Sequence, residues 1–462
     1  MLRMLEMNEM NNFGDTPEAR DIAHHFHGYT NARRHQEIGP MIIERGEGIH
    51  VFDNAGKRYI EGMSGLWSVG VGFNEPRLLK ALSDQAAKLP YYHNFGHKSH
   101  GPAIDLADQL VEIAPVPMSK VFFTNSGSEA NDTVLKMVWY RANALGKPGK
   151  RKVISRHRGY HGVTIAAASL TGLPYNHRSF DLPLPSIFHT MAPHFWKEGR
   201  DGETEEQFAT RCADELEALI QREGADTIAA FWAEPVMGAG GVVVPPKTYF
   251  EKIQAVLAKH DILFVADEVI CGFGRTGEMF GSTTYDIRPD VMVLSKQITS
   301  SYVPFSAIVM NDRFFDPIAD ESNSIGTFGH GYTGGGHPLG AAVALENLAV
   351  IRERGLVENA REVGAHLRAR LATLADSPLV GEVRGVGLIA AMELVNDKAT
   401  KSVTTVGQLG GMMNVAMQRN GLISRNMGDT VAFCPPLILT KAQADEIFEI
   451  TAKSLREVEA AV

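Results

Sequence analysis

Short runs of apolar residues alternate with helix-like segments through the middle of the chain. Six such runs lie between residues 118 and 311, and they read KVFFTN, KVISRH, IAAFWAEP, ILFVADE, VMVLSK and FSAIVMND. Strands that are apolar along most of their length are typical of a parallel sheet that helices cover on both faces. The pattern therefore predicts a large α/β domain with a mostly parallel sheet.

Capping patterns predict two individual helices. Thr204 and Gln207 form a capping box, apolar residues follow at a spacing of four, and Gly224 ends the helix. A second pair of the same kind, Thr440 and Gln443, opens the last helix of the chain.

The chain ends predict a second, smaller domain of mixed α+β character. The segment 48–62 alternates and turns in its middle, which predicts a β-hairpin, and a helical stretch from 340 to about 375 is interrupted at Gly355. About the first 13 residues are expected to be disordered. The predicted parts are an N-terminal part of the small domain at 1–75, the large domain at 76–345, and a C-terminal part of the small domain at 346–462.

Composition narrows the classes of function. The chain has 462 residues, of which 44 % are hydrophobic and 21 % charged, and its formal net charge at pH 7 is −9. This acidic balance argues against a nucleic-acid or anionic-membrane surface, and no apolar run approaches the ~18–20 residues of a membrane span. Three separated cysteines suit a reducing compartment, and the first residues lack the apolar core of a secretory signal, so we expect a cytoplasmic protein.

The stretch DEVICGFGRTG, at 267–277, contains the G-x-G-x-x-G order of a dinucleotide-binding loop. Such a loop must run from its strand directly into a helix, and an acidic residue for the ribose must follow about 20 positions later. Here the first glycine comes four residues after Glu268, and the segment that follows has no helical periodicity. The pattern therefore argues against a nicotinamide or flavin enzyme.

Asp267 and Lys296 are more informative than these glycines, because each ends an apolar strand and the two strands follow one another. The carboxyl ends of strands in open α/β sheets form the ligand-binding edge. A carboxylate and an amine at one edge meet the needs of pyridoxal 5'-phosphate (PLP), which uses a lysine for a Schiff base and an acid to keep the pyridine nitrogen protonated. Either charge taken alone is also explained as a solvated strand end.

The stretch FFTNSGSEAND, at 122–132, predicts a strand, a turn and the start of a helix. Amides at a helix N-terminus, together with the helix dipole, form an anion site, so Gly127 and Ser128 are candidates for binding the cofactor phosphate. Ser126 and Glu129 also fit a capping box. The two interpretations are compatible, because the cap would fix the turn that offers the amides.

With these motifs the chain resembles the class III (subgroup II) aminotransferases of PLP fold type I, and most of all the ω-amino acid and amine:pyruvate transaminases. The resemblance covers nearly the whole chain, through GLWSVGVGF, TNSGSEANDT, YHGVT, AEPVMGAGGV, DEVICGFGRTG, HGYTGGGHP and ISRNMGD in that order. It implies a mostly parallel large domain, a smaller α+β domain built from both chain ends, and a homodimer, with pairing into tetramers left open.

The resemblance also implies roles around the cofactor. Lys296 would form the Schiff base and then move a proton, while Asp267 would hold the pyridinium nitrogen. Val269 and Tyr160 would pack against the two faces of the ring. The remaining cofactor positions are Gly127, Ser128, His161, Glu234 and Thr333, the last reaching the phosphate from the partner subunit. Tyr160, His161 and Glu234 are open to a purely structural role as well.

A substrate pocket follows from the same resemblance. Leu66 and Trp67, in SGLWS, would form the wall of the amine pocket. Arg425, in ISRNMGD, would clamp the carboxylate of a keto acid and swing away for an apolar amine, since a guanidinium pairs bidentately with a carboxylate. A solvated loop arginine is the alternative. The predicted lining is completed by Tyr29, Phe95 and Tyr160.

Several local features bear on this interpretation. His93, His97 and His100 stand in HNFGHKSH without a carboxylate or cysteine, so we predict no metal site. Gln297 follows the lysine where the family usually has a glycine, and Gly96 occupies a frequent aromatic position. TGGGHP also replaces TYSGHP, and SSYVPFSA replaces SGYVPLGA. These departures bear on the substrate range more than on the reaction type.

We therefore expect an ω-transaminase that moves an amino group from an ω-amino acid or primary amine to a small keto acid, with pyruvate as the first candidate, in two ping-pong halves. A decarboxylase, racemase or aminomutase on the same fold is the alternative, and Arg425 and the GLW wall favour transamination. The donor stays open among β-alanine, taurine, a polyamine and an aryl amine. The resemblance implies (S) stereopreference.

Overall fold

A computed structural model describes residues 15–462, so the predicted disorder of about the first 13 residues lies outside the described part. The strands are β1 Ile43–Glu47, β2 His50–Asp53, β3 Arg58–Glu61, β4 Lys120–Thr124, β5 Lys152–Arg156, β6 Ile187–Thr190, β7 Ile228–Ala233, β8 Leu263–Asp267, β9 Val291–Leu294, β10 Ser306–Met310, β11 Val380–Val386, β12 Ile389–Leu394, β13 Leu422–Ile423, β14 Arg425–Met427 and β15 Thr430–Phe433.

The helices are α1 Pro17–His24, α2 Ala32–Ile38, α3 Ser64–Trp67, α4 Pro76–Lys88, α5 Gly101–Glu112, α6 Gly127–Ala144, α7 Ile165–Leu170, α8 Phe195–Glu198, α9 Glu205–Glu223, α10 Tyr249–Lys259, α11 Gly281–Thr284, α12 Asp312–Ile325, α13 Pro338–Glu353, α14 Leu356–Ala372, α15 Gln408–Arg419 and α16 Lys441–Glu459. Single 3₁₀ turns occupy Pro174–Asn176, Ala225–Thr227, Lys296–Ile298 and Thr373–Asp376. Within residues 15–462, none of these helices is long and apolar enough to cross a bilayer.

A seven-stranded sheet forms the centre of the molecule, in the order β4-β10-β9-β8-β7-β5-β6. β10 runs antiparallel to both of its neighbours, and the pairs from β9 to β6 are parallel. Helices cover both faces: Trp232 of β7 packs in a cluster with α6 and α12, whereas Phe231 packs on the other side with α9 and α10. The predicted mostly parallel sheet is confirmed, and β6 is an edge strand that the apolar pattern missed.

The capped helices and the hairpin form as the sequence predicts. Thr204 and Gln207 make both hydrogen bonds of a capping box at the start of α9, and Thr440 and Gln443 do the same for α16. β2 and β3 pair antiparallel as the predicted hairpin. Gly355, with φ +62°, separates α13 from α14, because a residue in the left-handed region ends one helix and allows the chain to turn into the next.

Two smaller sheets lie beside the central one. The sheet β1-β2-β3-β13 combines both chain ends, since β13 pairs in parallel with β3, and the other sheet has the order β11-β12-β15-β14. The loop after β8, which carries the glycine-rich stretch, connects the central sheet to these parts. Its Arg275 is fully buried and donates to the carbonyl oxygens of Leu388 and Pro435. The glycines therefore belong to a structural loop.

Candidate active site

The site is a cavity of about 630 Å³ at the carboxyl edge of the central sheet. Residues that follow β4, β5, β7, β8 and β9 surround it, because parallel strands bring their carboxyl ends to one edge. The sequence-predicted residues that line it are Tyr29, Leu66, Trp67, Gly127, Ser128, Tyr160, His161, Glu234, Asp267, Val269, Lys296 and Arg425.

Asp267 and Lys296 reach this cavity from neighbouring strands. β8 and β9 are parallel partners, and Lys296 follows β9 as the first residue of a 3₁₀ turn. Its φ is +49°, a left-handed conformation that non-glycine residues adopt rarely and mostly at functional sites. Burial lowers the pKa of the Lys296 amine, which favours the neutral form that can act as a nucleophile or base.

Three donors hold the buried carboxylate of Asp267 in place. Oδ2 accepts from Nδ2 of Asn131 at 2.9 Å and from Nδ1 of His161 at 2.8 Å, while Oδ1 accepts from the amide of Val269 at 3.1 Å. Asn131 is fixed in turn, since its Oδ1 accepts from Nε1 of Trp232 at 2.9 Å. The sequence analysis did not predict Asn131 or Trp232, although Asn131 stands within the quoted NSGSEANDT motif.

The N-terminus of α6 offers the predicted anion site. Ser126 caps the helix by accepting from the amide of Glu129 at 3.2 Å. The second hydrogen bond of the predicted capping box does not form. The Glu129 carboxylate accepts from the amide of Asn125 at 2.8 Å instead of from the amide of Ser126. The Gly127 and Ser128 amides belong to the first turn, where a helix leaves its N–H groups without internal partners, so they are available to a phosphate.

Two residues flank the space between this anion site and Lys296. A Cβ on Gly127 would lie 3.1 Å from a methyl group of Val269, so glycine permits their close approach. Tyr160 lines the cavity, and its amide donates to the buried carboxylate of Glu234 at 3.0 Å. Glu234 therefore fixes the backbone that carries Tyr160, and burial raises the pKa values of both side chains.

The predicted amine wall is a kinked turn. In α3, the residues Ser64, Gly65 and Trp67 have positive φ. Trp67 is 1 % exposed and packs in one cluster with Val236 and Ile270, whereas Leu66 is 57 % exposed and faces the cavity opening. Left-handed backbone at non-glycine residues costs on the order of 1–3 kcal/mol each and persists where surrounding structure enforces it.

Arg425 lies at the start of β14 and lines the cavity. It is partly buried, and among residues 15–462 its guanidinium forms no ion pair and donates no side-chain hydrogen bond. Tyr29 and Tyr175 stand near it, with their rings 6.4 Å apart at a right angle. A guanidinium that is unpaired among the described residues can bind a carboxylate, and the aromatic side chains beside it offer contacts to an apolar group.

These residues fit PLP. The cavity offers an amine, a carboxylate held for a ring nitrogen, free amides for a phosphate, and Nε2 of His161, which has no hydrogen-bond partner among the described residues. A family model described as aminotransferase class III matches residues 30–455. The chain belongs to the class III aminotransferase family.

Individual relatives agree with this assignment. Gamma aminobutyrate transaminase 1 of Solanum lycopersicum is 48 % identical over 433 residues, which make up 93 % of this chain and 84 % of the relative. The solved ω-transaminase of Pseudomonas jessenii in complex with PMP is 59 % identical, with a TM-score of 0.96 over 97 % of this chain and 99 % of that chain. A solved transaminase with L-Ala is 64 % identical, with a TM-score of 0.90 over 91 % of this chain and 100 % of that chain.

The predictions of PLP fold type I, of PLP as the cofactor and of transaminase activity are therefore confirmed. The smaller α+β part built from both chain ends agrees with the observed pairing of β13 with β3.

Phe95 and Thr333 are predicted site residues that do not line this cavity. Phe95 and the loop that carries Thr333 meet at a second cavity of about 950 Å³, where a Cβ on Gly331 would lie 2.6 Å from the Phe95 ring. Both side chains are exposed, and the Thr333 carbonyl accepts from the hydroxyl of Tyr91 at 2.9 Å. The prediction that Phe95 lines the pocket is therefore not met within one chain, because its turn packs on the Thr333 loop.

The departures from the family pattern are local in effect. The Gln297 side chain does not line the cavity and points into the core, where its Oε1 accepts from Arg275 at 3.1 Å. Gly335 has no room for a side chain, since a Cβ there would lie 2.7 Å from the carbonyl oxygen of Phe123. Gly96 has φ +58°, so an aromatic residue there would be strained.

The histidines near residue 95 have structural roles. His100 caps α5 by accepting from the amide of Ala103, and its other ring nitrogen contacts the carbonyl oxygen of Gly336 at 2.8 Å. His93 stacks on Tyr92, with 4.9 Å between the ring centroids.

Proposed function

We propose that this aminotransferase moves the terminal amino group of an ω-amino acid or primary amine to pyruvate, with L-alanine as the product. The observation that carries the proposal is the unpaired Arg425 beside a wall of aromatic and aliphatic side chains. A guanidinium binds the carboxylate of pyruvate or of an ω-amino acid bidentately. The apolar wall, with Leu66 and Trp67, accepts the carbon chain of a donor that lacks an α-carboxylate.

Each residue of the cavity has a separate role in this reaction. PLP, when bound, supplies an aldehyde for the amine and a ring that delocalises negative charge. Asp267 holds the proton on the ring nitrogen, and the Gly127 and Ser128 amides bind the phosphate. Lys296 would move a proton to and from the substrate carbon, and burial lowers its pKa, which favours the neutral amine that this role needs. Tyr160 and Val269 would pack against the two faces of the ring and so hold it beside Lys296.

The choice of donor and acceptor rests on the relatives. The Solanum lycopersicum relative is a gamma aminobutyrate transaminase, which makes an ω-amino acid the first donor to test. The solved transaminase with L-Ala supports pyruvate as the acceptor, because pyruvate and L-alanine are the two forms of one transamination partner. A neighbour engineered for bulky amines supports primary amines as further donors.

Arg425→Leu tests the role of the guanidinium. We expect kcat/KM for pyruvate to fall about 100-fold, in line with the loss of a charge-assisted bidentate pair, while single-turnover reaction with an apolar amine keeps its rate. Absorbance of the cofactor follows each half-reaction separately. Arg288→Leu, at an exposed arginine, is the matched control. Equal losses with pyruvate and with the apolar amine would contradict the proposal.

We also propose a homodimer in which Thr333 and Phe95 of one subunit complete the cavity of the other. Their exposure around a second cavity of the same chain supports this arrangement. Mixing two inactive variants, Lys296→Ala and Thr333→Glu, tests it: a shared site regains one intact site per mixed dimer, hence about a quarter of the wild-type activity. Activity that stays at the level of the separate variants contradicts a shared site.

We propose domain boundaries at 75 and 345. The change from the small sheets to the central sheet supports them, and limited proteolysis tests them.

We also propose a cytoplasmic location, which three buried cysteines without a disulfide support. Because the curated relatives are mitochondrial or chloroplastic, fractionation of the source cells has to decide between these compartments.

A further inference from the structure

Three histidines converge on one aspartate near the start of the described chain. Oδ1 of Asp21 lies 2.9 Å from Nε2 of His27 and 2.8 Å from Nε2 of His35, and Oδ2 lies 2.9 Å from Nε2 of His27 and 3.1 Å from Nδ1 of His25. Asp21 belongs to α1, His25 and His27 to the loop after it, and His35 to α2. The cluster therefore connects two helices that the sequence separates by a loop.

The spacing of these atoms suits a small transition-metal ion. The ligand atoms of Asp21, His25 and His27 all lie within 4.8 Å of one another. With Zn–N and Zn–O bonds of ~2.0–2.2 Å, neighbouring ligand atoms of a tetrahedral site lie ~3.3 Å apart, close to the contacts in the cluster. Imidazole nitrogens and a carboxylate are ligands that zinc commonly takes.

The burial of the side chains agrees with a metal site. The His35 side chain is 10 % exposed and that of Asp21 19 %, whereas His25 opens to solvent at 67 %, which gives an ion a path of entry. The ring centroid of His27 lies 4.3 Å from that of His25 and 4.2 Å from that of His35, so the three imidazoles pack close together.

We propose that Asp21, His25 and His27 bind one Zn²⁺ ion, and that His35 of α2 holds the Asp21 carboxylate in place by its hydrogen bond. The loop between these helices carries Tyr29, which lines the cavity and accepts a hydrogen bond from Nδ2 of Asn176 at 2.6 Å. The ion holds this loop against the cavity. The site is separate from the PLP pocket and from the histidines at 93–100, and it does not depend on the proposed function.

The test uses the untagged holoenzyme, because a histidine tag would itself bind zinc. We expect about one Zn²⁺ per chain after dialysis and metal analysis, a chelator-competition Kd below the micromolar range, and the visible d–d bands of tetrahedral Co²⁺ when cobalt is substituted. The double variant His27→Asn/His35→Asn loses the bound metal and the bands. His24→Asn, at the neighbouring exposed histidine outside the cluster, keeps both.

Asp21→Asn provides a second variant, which keeps the shape of the side chain and removes its charge. We expect it to weaken zinc binding at least tenfold, and PLP absorbance shows that each variant remains folded. Less than 0.1 Zn²⁺ per wild-type chain, or equal zinc content in the wild type and the double variant, overturns the proposal. Cobalt spectra without the tetrahedral bands overturn it as well.

Discussion

Burial sets the ionisation of side chains on both sides of the cavity. It lowers the pKa of Lys296, which favours the neutral amine that can act as a base. On the amine side, burial raises the pKa of Glu61 to about 8, although the amide of Gly65 donates to its carboxyl group. The carboxyl group of Glu61 is therefore protonated in the folded protein at neutral pH. It lies directly beside the turn that carries Leu66 and Trp67.

This pKa predicts a stability that depends on pH. A carboxyl group with a raised pKa in the folded state contributes stability below its unfolded value of about 4.5, and the contribution is lost as the pH rises through about 8. We expect the melting temperature of wild type, relative to Glu61→Gln, to fall between pH 5 and pH 8, as measured by scanning fluorimetry. Glu47→Gln, at an exposed carboxylate, serves as the control. Parallel curves for wild type and Glu61→Gln would contradict the assignment.

The sequence predicts the charged residues of the site better than the residues that hold them. Asp267 and Lys296 are visible because each ends an apolar run, and the parallel order of those strands brings them together. Asn131 could not be assigned in this way, because its partner Asp267 lies 136 positions away and nothing in one sequence states that contact. Phe95 does not line the cavity of its own chain for a related reason, since a motif match does not say which side of a turn, or which subunit, a ring faces.

At the scale of elements, one loop and one turn connect the central sheet to the chain ends. Arg275, in the loop after β8, donates to Leu388 and Pro435, to Oγ of Ser64 and to Oε1 of Gln297. The acceptors come from four separate stretches of the chain. A single buried guanidinium therefore fixes the position of the amine wall relative to the strand that carries Asp267.

Arg275→Lys should weaken this connection. A lysine amine cannot reach acceptors on four sides, so buried carbonyl and hydroxyl groups lose their partner at a cost on the order of 3 kcal/mol. We expect a lower melting temperature and weaker retention of PLP, measured by scanning fluorimetry and by cofactor absorbance after gel filtration. Arg288→Lys changes an exposed arginine and should alter neither. Equal values for the two variants would refute the role given to Arg275.

Long, periodic or capped elements are predicted well from sequence, and short ones are not. α9 and α16 follow from their capping boxes, and the hairpin follows from its alternation. β6 has four residues with no apolar run, and β13 has two, so their existence depends on the sheets that they join. The antiparallel direction of β10 is likewise a property of the chain path, which an apolar pattern does not encode.

At the scale of the whole molecule, the cofactor site draws on many elements, so binding of PLP should stabilise all of them together. A ligand at 100 times its Kd raises the free energy of unfolding by about 2.7 kcal/mol. We expect the apoenzyme to melt at a lower temperature than the holoenzyme, and addition of PLP to restore the difference. Pyridoxal without its phosphate should restore less, because it cannot engage the amides of Gly127 and Ser128. An equal effect of both compounds would contradict the anion site at α6.

The backbone around the amine wall also determines when the site can exist during synthesis. The amide of Gly62 donates to the carbonyl oxygen of Ile423, and its carbonyl oxygen accepts from the amide of Cys434. The carbonyl oxygen of Gly70 accepts from the amide of Leu437, and Oγ of Ser64 donates to the carbonyl oxygen of Cys434. All of these partners are translated after the strands that carry Asp267 and Lys296. A ribosome that has made the strands with Asp267 and Lys296 thus still lacks the segment that closes the pocket beside them. A chain that is truncated before residue 423 lacks these partners of the amine wall, and we expect it to bind PLP more weakly than the full chain.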